Sequence, residues 1–127
     1  MVLALAIFPG CTDDGGSADE LCQALSEGQG FASVFQDFDP TDAPAALVQL
    51  RTARVELGEL KDVAPGDADD DLEVEIDYVQ ALIDALEPLG AAADAAQVAA
   101  TIQSVTDAHP EVGPAAARLE AFATQEC

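Results

Sequence analysis

Three cysteines carry the most specific chemistry in the chain: Cys11 ends a short apolar leader, Cys22 falls in the first predicted helix and Cys127 is the last residue. The leader, MVLALAIFPG, runs straight into Cys11 and then into the polar stretch Thr12-Asp13-Asp14-Gly15-Gly16-Ser17. An apolar run, a small residue and a cysteine form the end of a lipoprotein signal peptide, and the cysteine becomes the lipid-modified first residue of the exported chain. On this reading residues 1–10 are a truncated signal peptide, 11–17 are the lipidated cysteine and a flexible tether, and 18–127 are the folded domain. Phe8 and Pro9 depart from the usual Leu-small-small pattern, and no Lys or Arg precedes the apolar run. A start codon placed too far downstream accounts for the missing positive end. The run is about half the roughly 20 apolar residues that a spanning helix needs.

With lipid on Cys11, Cys22 and Cys127 either pair or stay as two buried thiols. A thiol at an extreme terminus is hard to bury, which favours the pair. A bridge between them would close nearly the whole domain into one loop, worth on the order of 4–5 kcal/mol in the chain-entropy model. Such bonds persist outside the reducing cytosol, so the cysteines agree on an extracytoplasmic address.

A second candidate is an acidic run. Asp67, Asp69 and Asp71 stand at the first, third and fifth positions of a would-be calcium loop, with Glu73 and Glu75 at the seventh and ninth. Leu72 replaces the glycine that such a loop needs for its sharp turn, and Tyr78 replaces its bidentate glutamate. The default reading is therefore a helix start whose negative charge suits the positive end of the helix dipole. A cation or a basic ligand bound along Asp67–Asp77 is the alternative. Catalytic patterns are otherwise missing. A serine or cysteine hydrolase needs a base beside its nucleophile. The only imidazole, His109, precedes Pro110 and reads as a helix-ending residue. There is no C-x-x-C spacing for a structural metal and no glycine-rich phosphate loop. No cofactor is expected, and the chain reads as a non-catalytic protein.

The formal net charge of −21, from 25 acidic and four basic residues, sets the partners. Such a surface repels nucleic-acid phosphates and anionic headgroups, leaving a protein or cationic partner, with membrane contact made through the lipid on Cys11. Half the residues are hydrophobic and only 5% are aromatic, with alanine abundant, so the core is thin. Each buried alanine removes little apolar area from water, and a disulfide then carries an unusual share of stability.

The elements that must position these groups are helical throughout. Ser17-Ala18-Asp19-Glu20 forms a capping box opening a first helix through Leu21, Cys22 and Leu25, broken at Gly28-Gln29-Gly30. Phe31, Val34, Phe35 and Phe38 share one helical face and read as a core plug rather than a ligand box. After the Asp39-Pro40-Thr41-Asp42 turn, a second helix reaches about Ala64 with a heptad seam of Ala46, Leu50, Ala53, Leu57, Leu60 and Ala64. A third helix opens at Asp67, with Leu72, Ile76, Val79, Ile83 and Leu86 as its apolar stripe, and stops at Pro88–Gly90. Asp94 and Gln97 form another capping box for a fourth, carrying Ala95, Val98, Ile102 and Val105 up to His109-Pro110. A last helix with Leu119 and Phe122 returns Cys127 towards Cys22. No alternating strand pattern competes.

The Gly10-Cys11 junction, the Asp/Gly/Ser linker, Leu21-Cys22 and the terminal Glu126-Cys127 resemble small, acidic, Ala-rich exported lipoproteins of high-GC Gram-positive bacteria. The resemblance implies a lipid-anchored helical domain outside the membrane and supplies no catalytic residue. The expectation is an all-α antiparallel bundle of four or five short helices, tethered through Cys11, serving as an interaction or structural module of the cell envelope.

The charge generates a prediction. Crowded carboxylates repel one another more in the fold than in the expanded chain, so monovalent salt raises the melting temperature smoothly as it screens them. A melting temperature that is flat or falls with added sodium chloride contradicts this.

Overall fold

The computed structural model describes residues 17–28 and 39–127, so the Cys11 junction and the Phe31–Phe38 segment lie outside the described residues. Within them the chain is an all-α bundle of five helices: α1 (Ala18–Gly28), α2 (Ala43–Val63), α3 (Gly66–Leu86), α4 (Ala95–Ala108) and α5 (Val112–Glu126). A short 3-10 turn, Glu87–Leu89, follows α3. Central to the bundle is α3, which packs against α2, α4 and α5, while α1 bridges α2 and α5.

Local chemistry sets most helix ends. The Ser17 hydroxyl accepts the Glu20 N–H at 3.2 Å, capping α1. Before α2, Asp39 accepts both the N–H and the hydroxyl of Thr41, at 2.9 and 2.6 Å, and this turn delivers the chain to Asp42 and a proline in the first turn of the helix. Those two bonds favour the charged form and hold the Asp39 carboxyl below its ordinary range. The Asp94–Gln97 capping box of α4 is complete, with Gln97 N–H on Asp94 at 2.8 Å and Asp94 N–H on Gln97 at 3.1 Å. Gly90, at φ 68° and ψ −176°, takes the chain out of the 3-10 turn through a region that side-chain-bearing residues avoid.

The interior is leucine against alanine. Among the described residues nineteen hydrophobic side chains are buried, and ten of them are leucines, among which Leu21, Leu50, Leu72, Leu86 and Leu119 are essentially inaccessible. Six are alanines, which let helix backbones approach closely enough for leucines opposite to fill the gap. All six positions of the expected α2 seam are buried. The α2–α3 pair is an antiparallel hairpin closed by Ala64 and Pro65, with ion pairs at both ends: Lys61 to Asp69 at 3.1 Å and Arg51 to Glu87 at 2.6 Å.

Four residues of the expected α3 stripe, Leu72, Val79, Ile83 and Leu86, are buried, and it departs from expectation at Ile76. Ala68, Leu72, Glu75, Val79, Leu82 and Leu86 are all buried, at spacings four, three, four, three and four, whereas Ile76 is only half-buried. The seam therefore includes Glu75, at a position a heptad reserves for apolar residues. On α4, Ala95 is exposed, and Val98 is that helix's buried residue, with Ile102 and Val105 half-covered.

Cys22 of α1 is bonded to Cys127, just beyond α5, across 105 residues of sequence with Cα atoms 5.5 Å apart. It fastens the first described helix to the last. In the oxidised protein neither Cys22 nor Cys127 reacts with an alkylating reagent, and reduction lowers the melting temperature by about 10–20 °C, corresponding to roughly 2–5 kcal/mol in a domain of this size. Alkylation of both residues before reductant is added contradicts the bridge.

Candidate functional site

Helical geometry distributes the acidic run of α3 around the helix instead of gathering it. Residues four apart lie one above the other, so Asp67, Asp71 and Glu75 share one edge. Asp69 points to the opposite edge, where its carboxylate accepts from Lys61 Nζ at 3.1 and 3.3 Å. The bond to Asp69 raises the Lys61 pKa above its ordinary value. Glu73 and Asp77 are exposed. Among the described residues no three His, Cys, Asp or Glu side chains come together as a metal ion would require. The five candidates Asp67, Asp69, Asp71, Glu73 and Glu75 thus serve different surroundings, because a continuous helix cannot turn alternate residues inward as a calcium loop does.

The edge formed by Asp67, Asp71 and Glu75 is the unusual feature. Asp71 is buried, and its carboxylate receives Arg118 of α5 in a forked arrangement: Nε at 3.0 and 3.1 Å, and Nη2 at 2.8 Å. The hydrogen bonds and charge of Asp71 raise the Arg118 pKa. The pair is lopsided, for the Asp71 side chain is 10% exposed and the Arg118 side chain 59%. Beside it a cleft of about 240 Å³ opens between α3 and α5, lined by Asp67, Ala68, Asp71, Arg118, Phe122 and Glu126 among others.

One turn further along α3, Glu75 is 7% exposed, and its Oε2 is buried without a hydrogen-bond partner among the described residues. Burial, reinforced by the charge of Asp71, pushes its carboxyl up from 4.5 to about 7. A carboxyl whose pKa is higher folded than unfolded binds more protons in the native state. Its effect on stability is therefore most favourable below pH 4.5, and it declines as pH rises to about 7. The span corresponds to roughly 2–4 kcal/mol at about 1.4 kcal/mol per pH unit.

His109 ends α4 as expected. Its Nδ1 lies 2.9 Å from the Val105 carbonyl, and its ring meets Tyr78 edge-on with centroids 5.9 Å apart. Tyr78, which breaks the calcium-loop pattern in the sequence, joins α3 to α4 through its hydroxyl and that of Thr106 at 2.7 Å.

The sequence reading missed Arg118 and the burial of Glu75. Nothing local marks Arg118 as the partner of Asp71, 47 residues away. The burial of Glu75 did leave a trace, because extending the heptad to Ala68 and Leu82 places it on the seam. Compared with family models, with characterised proteins and with solved structures, the chain matches none, so its function rests on its own geometry.

The lopsided pair predicts unequal mutants. Arg118→Ala strands a buried carboxylate beside Glu75 and lowers the melting temperature markedly. Asp71→Ala releases a largely solvated arginine, relieves Glu75 and costs less. Thermal denaturation of both variants at pH 7.5 checks the order, and a costlier Asp71→Ala contradicts it.

Proposed function

We propose that this chain is a lipid-anchored, extracytoplasmic module of the cell envelope that works without catalysis, presenting a stiff acidic helical surface to a protein or cationic partner. The observation that carries the reading is the Cys22–Cys127 disulfide. A bond of this kind persists in an oxidising compartment, and it leaves Cys11 as the remaining cysteine, placed where an exported lipoprotein carries its lipid. No helix among the described residues is long and apolar enough to cross a membrane, and on this reading the lipid supplies the attachment.

The side chains near the α3–α5 cleft favour binding over bond-breaking. Arg118, which lines it, is held by Asp71, and away from the cleft the imidazole of His109 is engaged with a backbone carbonyl and Tyr78. The acidic exterior suits contact with a basic protein surface, and at net charge −21 it disfavours nucleic acid.

The test is fractionation. Expressed behind a complete leader bearing Lys or Arg, the precursor is cut between Gly10 and Cys11, incorporates labelled fatty acid and pellets with membranes, while Cys11→Ser is released. A Cys11→Ser protein that still takes up the label, or a wild type that stays in the cytosol with Met1 in place, overturns the reading. Calcium and magnesium then stabilise the domain no more than general screening does. A saturable calcium effect that survives high monovalent salt and disappears in Asp69→Ala with Asp71→Ala favours the divalent-cation or basic-ligand reading of the Asp67–Asp77 run instead.

A further inference from the structure

Glu75 is a carboxyl on an apolar seam, and three observations of geometry make it more than a tolerated flaw. It is 7% exposed, with Oε2 buried and unpartnered among the described residues. It follows by one turn the buried Asp71, through which Arg118 holds α5. The seam between α3 and α5 is incompletely filled beside that pair, where the cleft of about 240 Å³ lies. Helix α5 contributes Ala115 and Leu119 as buried residues, with Phe122 half-covered.

We propose that Glu75 is a proton-operated latch: with its proton it stays in the core and α5 remains docked on α3, and without it the carboxylate seeks water and α5 lifts from α3. The neutral acid has a single O–H to satisfy, whereas a carboxylate whose Oε2 is buried next to Asp71 also brings a charge that no cation on the described helices is placed to offset, and that costs more. Arg118 is the nearest cation on α5, and Asp71 already occupies it with three hydrogen bonds. The charged groups on the other packed elements are likewise committed or solvated. Lys61 of α2 is held by Asp69, His109 of α4 is engaged with Val105 and Tyr78, and Asp19 and Glu20 of α1 are exposed.

The covalent layout limits what opening can do. Helix α5 is fastened at its far end by Cys127 to Cys22, and at its near end by the short turn His109–Glu111. Ionisation therefore loosens α5 without freeing it. The faces exposed are those of Leu119 and Phe122, together with the Asp67–Asp71 edge of α3.

Hydrogen exchange followed by mass spectrometry on the oxidised full chain tests this, across pH 5 to 8 in about 0.5 M sodium chloride to screen the general charge. Rates are corrected for intrinsic pH dependence. The expected result is that protection of α5 falls roughly tenfold per pH unit from pH 5 to about 7 and levels off above, while the α2 core keeps its protection. Glu75→Gln, a neutral isostere, abolishes the dependence and keeps α5 closed at pH 8. Equal loss of protection across all helices overturns the latch in favour of global destabilisation. A dependence that persists in Glu75→Gln, or that disappears only in His109→Gln, overturns it as well, and so does α5 protection that does not change with pH.

Discussion

Every other helix depends on how α3 is buried. It is 21 residues long, carries eight carboxylates and yet is the element against which α2, α4 and α5 all pack. A helix in that position needs a wide apolar surface, and the sequence leaves little room for one. The conflict is resolved at two positions. Asp71 enters the interior with a guanidinium brought by α5, and Glu75 enters with an Oε2 that has no partner among the described residues. The first arrangement ties a distant helix to α3, and the second makes the same contact sensitive to a proton.

The thin core explains why such small electrostatic details matter here. Leucines packed against alanines bury less area per residue than a core with large aromatic side chains. A charge that would be a minor defect in a larger domain is a sizeable fraction of the net stability of one this size. The Cys22–Cys127 bond acts on the other side of the balance, since it restricts the unfolded chain and keeps α1 and α5 together whatever happens at the α3–α5 contact. With α2 and α3 paired as a hairpin and Cys22 bonded to Cys127, the α3–α5 contact is the one that carries both the Asp71–Arg118 pair and Glu75 beside it.

Much of this fold was readable in the sequence because its helices announce themselves. The turns around Pro65-Gly66, Pro88–Gly90 and His109-Pro110 mark the helix ends, and the seam from Ala46 to Ala64 is buried at every position. The pairing of Cys22 with Cys127 followed from their number and placement. On α3 the expected stripe followed hydrophobicity and chose Ile76, whereas packing follows position and buried Glu75. Hydropathy puts a carboxylate outside; only the heptad register through Ala68 and Leu82 points to the interior. Arg118 stayed hidden because a contact between helices far apart in sequence depends on how they dock, which no local pattern encodes. The acidic run, conspicuous as a metal candidate, is spread around the helix: Asp69 is held by Lys61, Asp71 by Arg118, Glu73 faces solvent, and Glu75 is buried on the edge that Asp67 and Asp71 share.

The claim on which this picture rests is that a carboxyl of the core is neutral below pH 7. Carbon-13 NMR of the Glu75 side-chain carboxyl, titrated from pH 3 to 9 and assigned by its disappearance in Glu75→Gln, measures it directly. A midpoint near 7 is the predicted result. A midpoint in the ordinary glutamate range, about 4–5, would mean that the carboxylate finds water or a cation in the folded protein, and that the α3–α5 seam carries no buried proton.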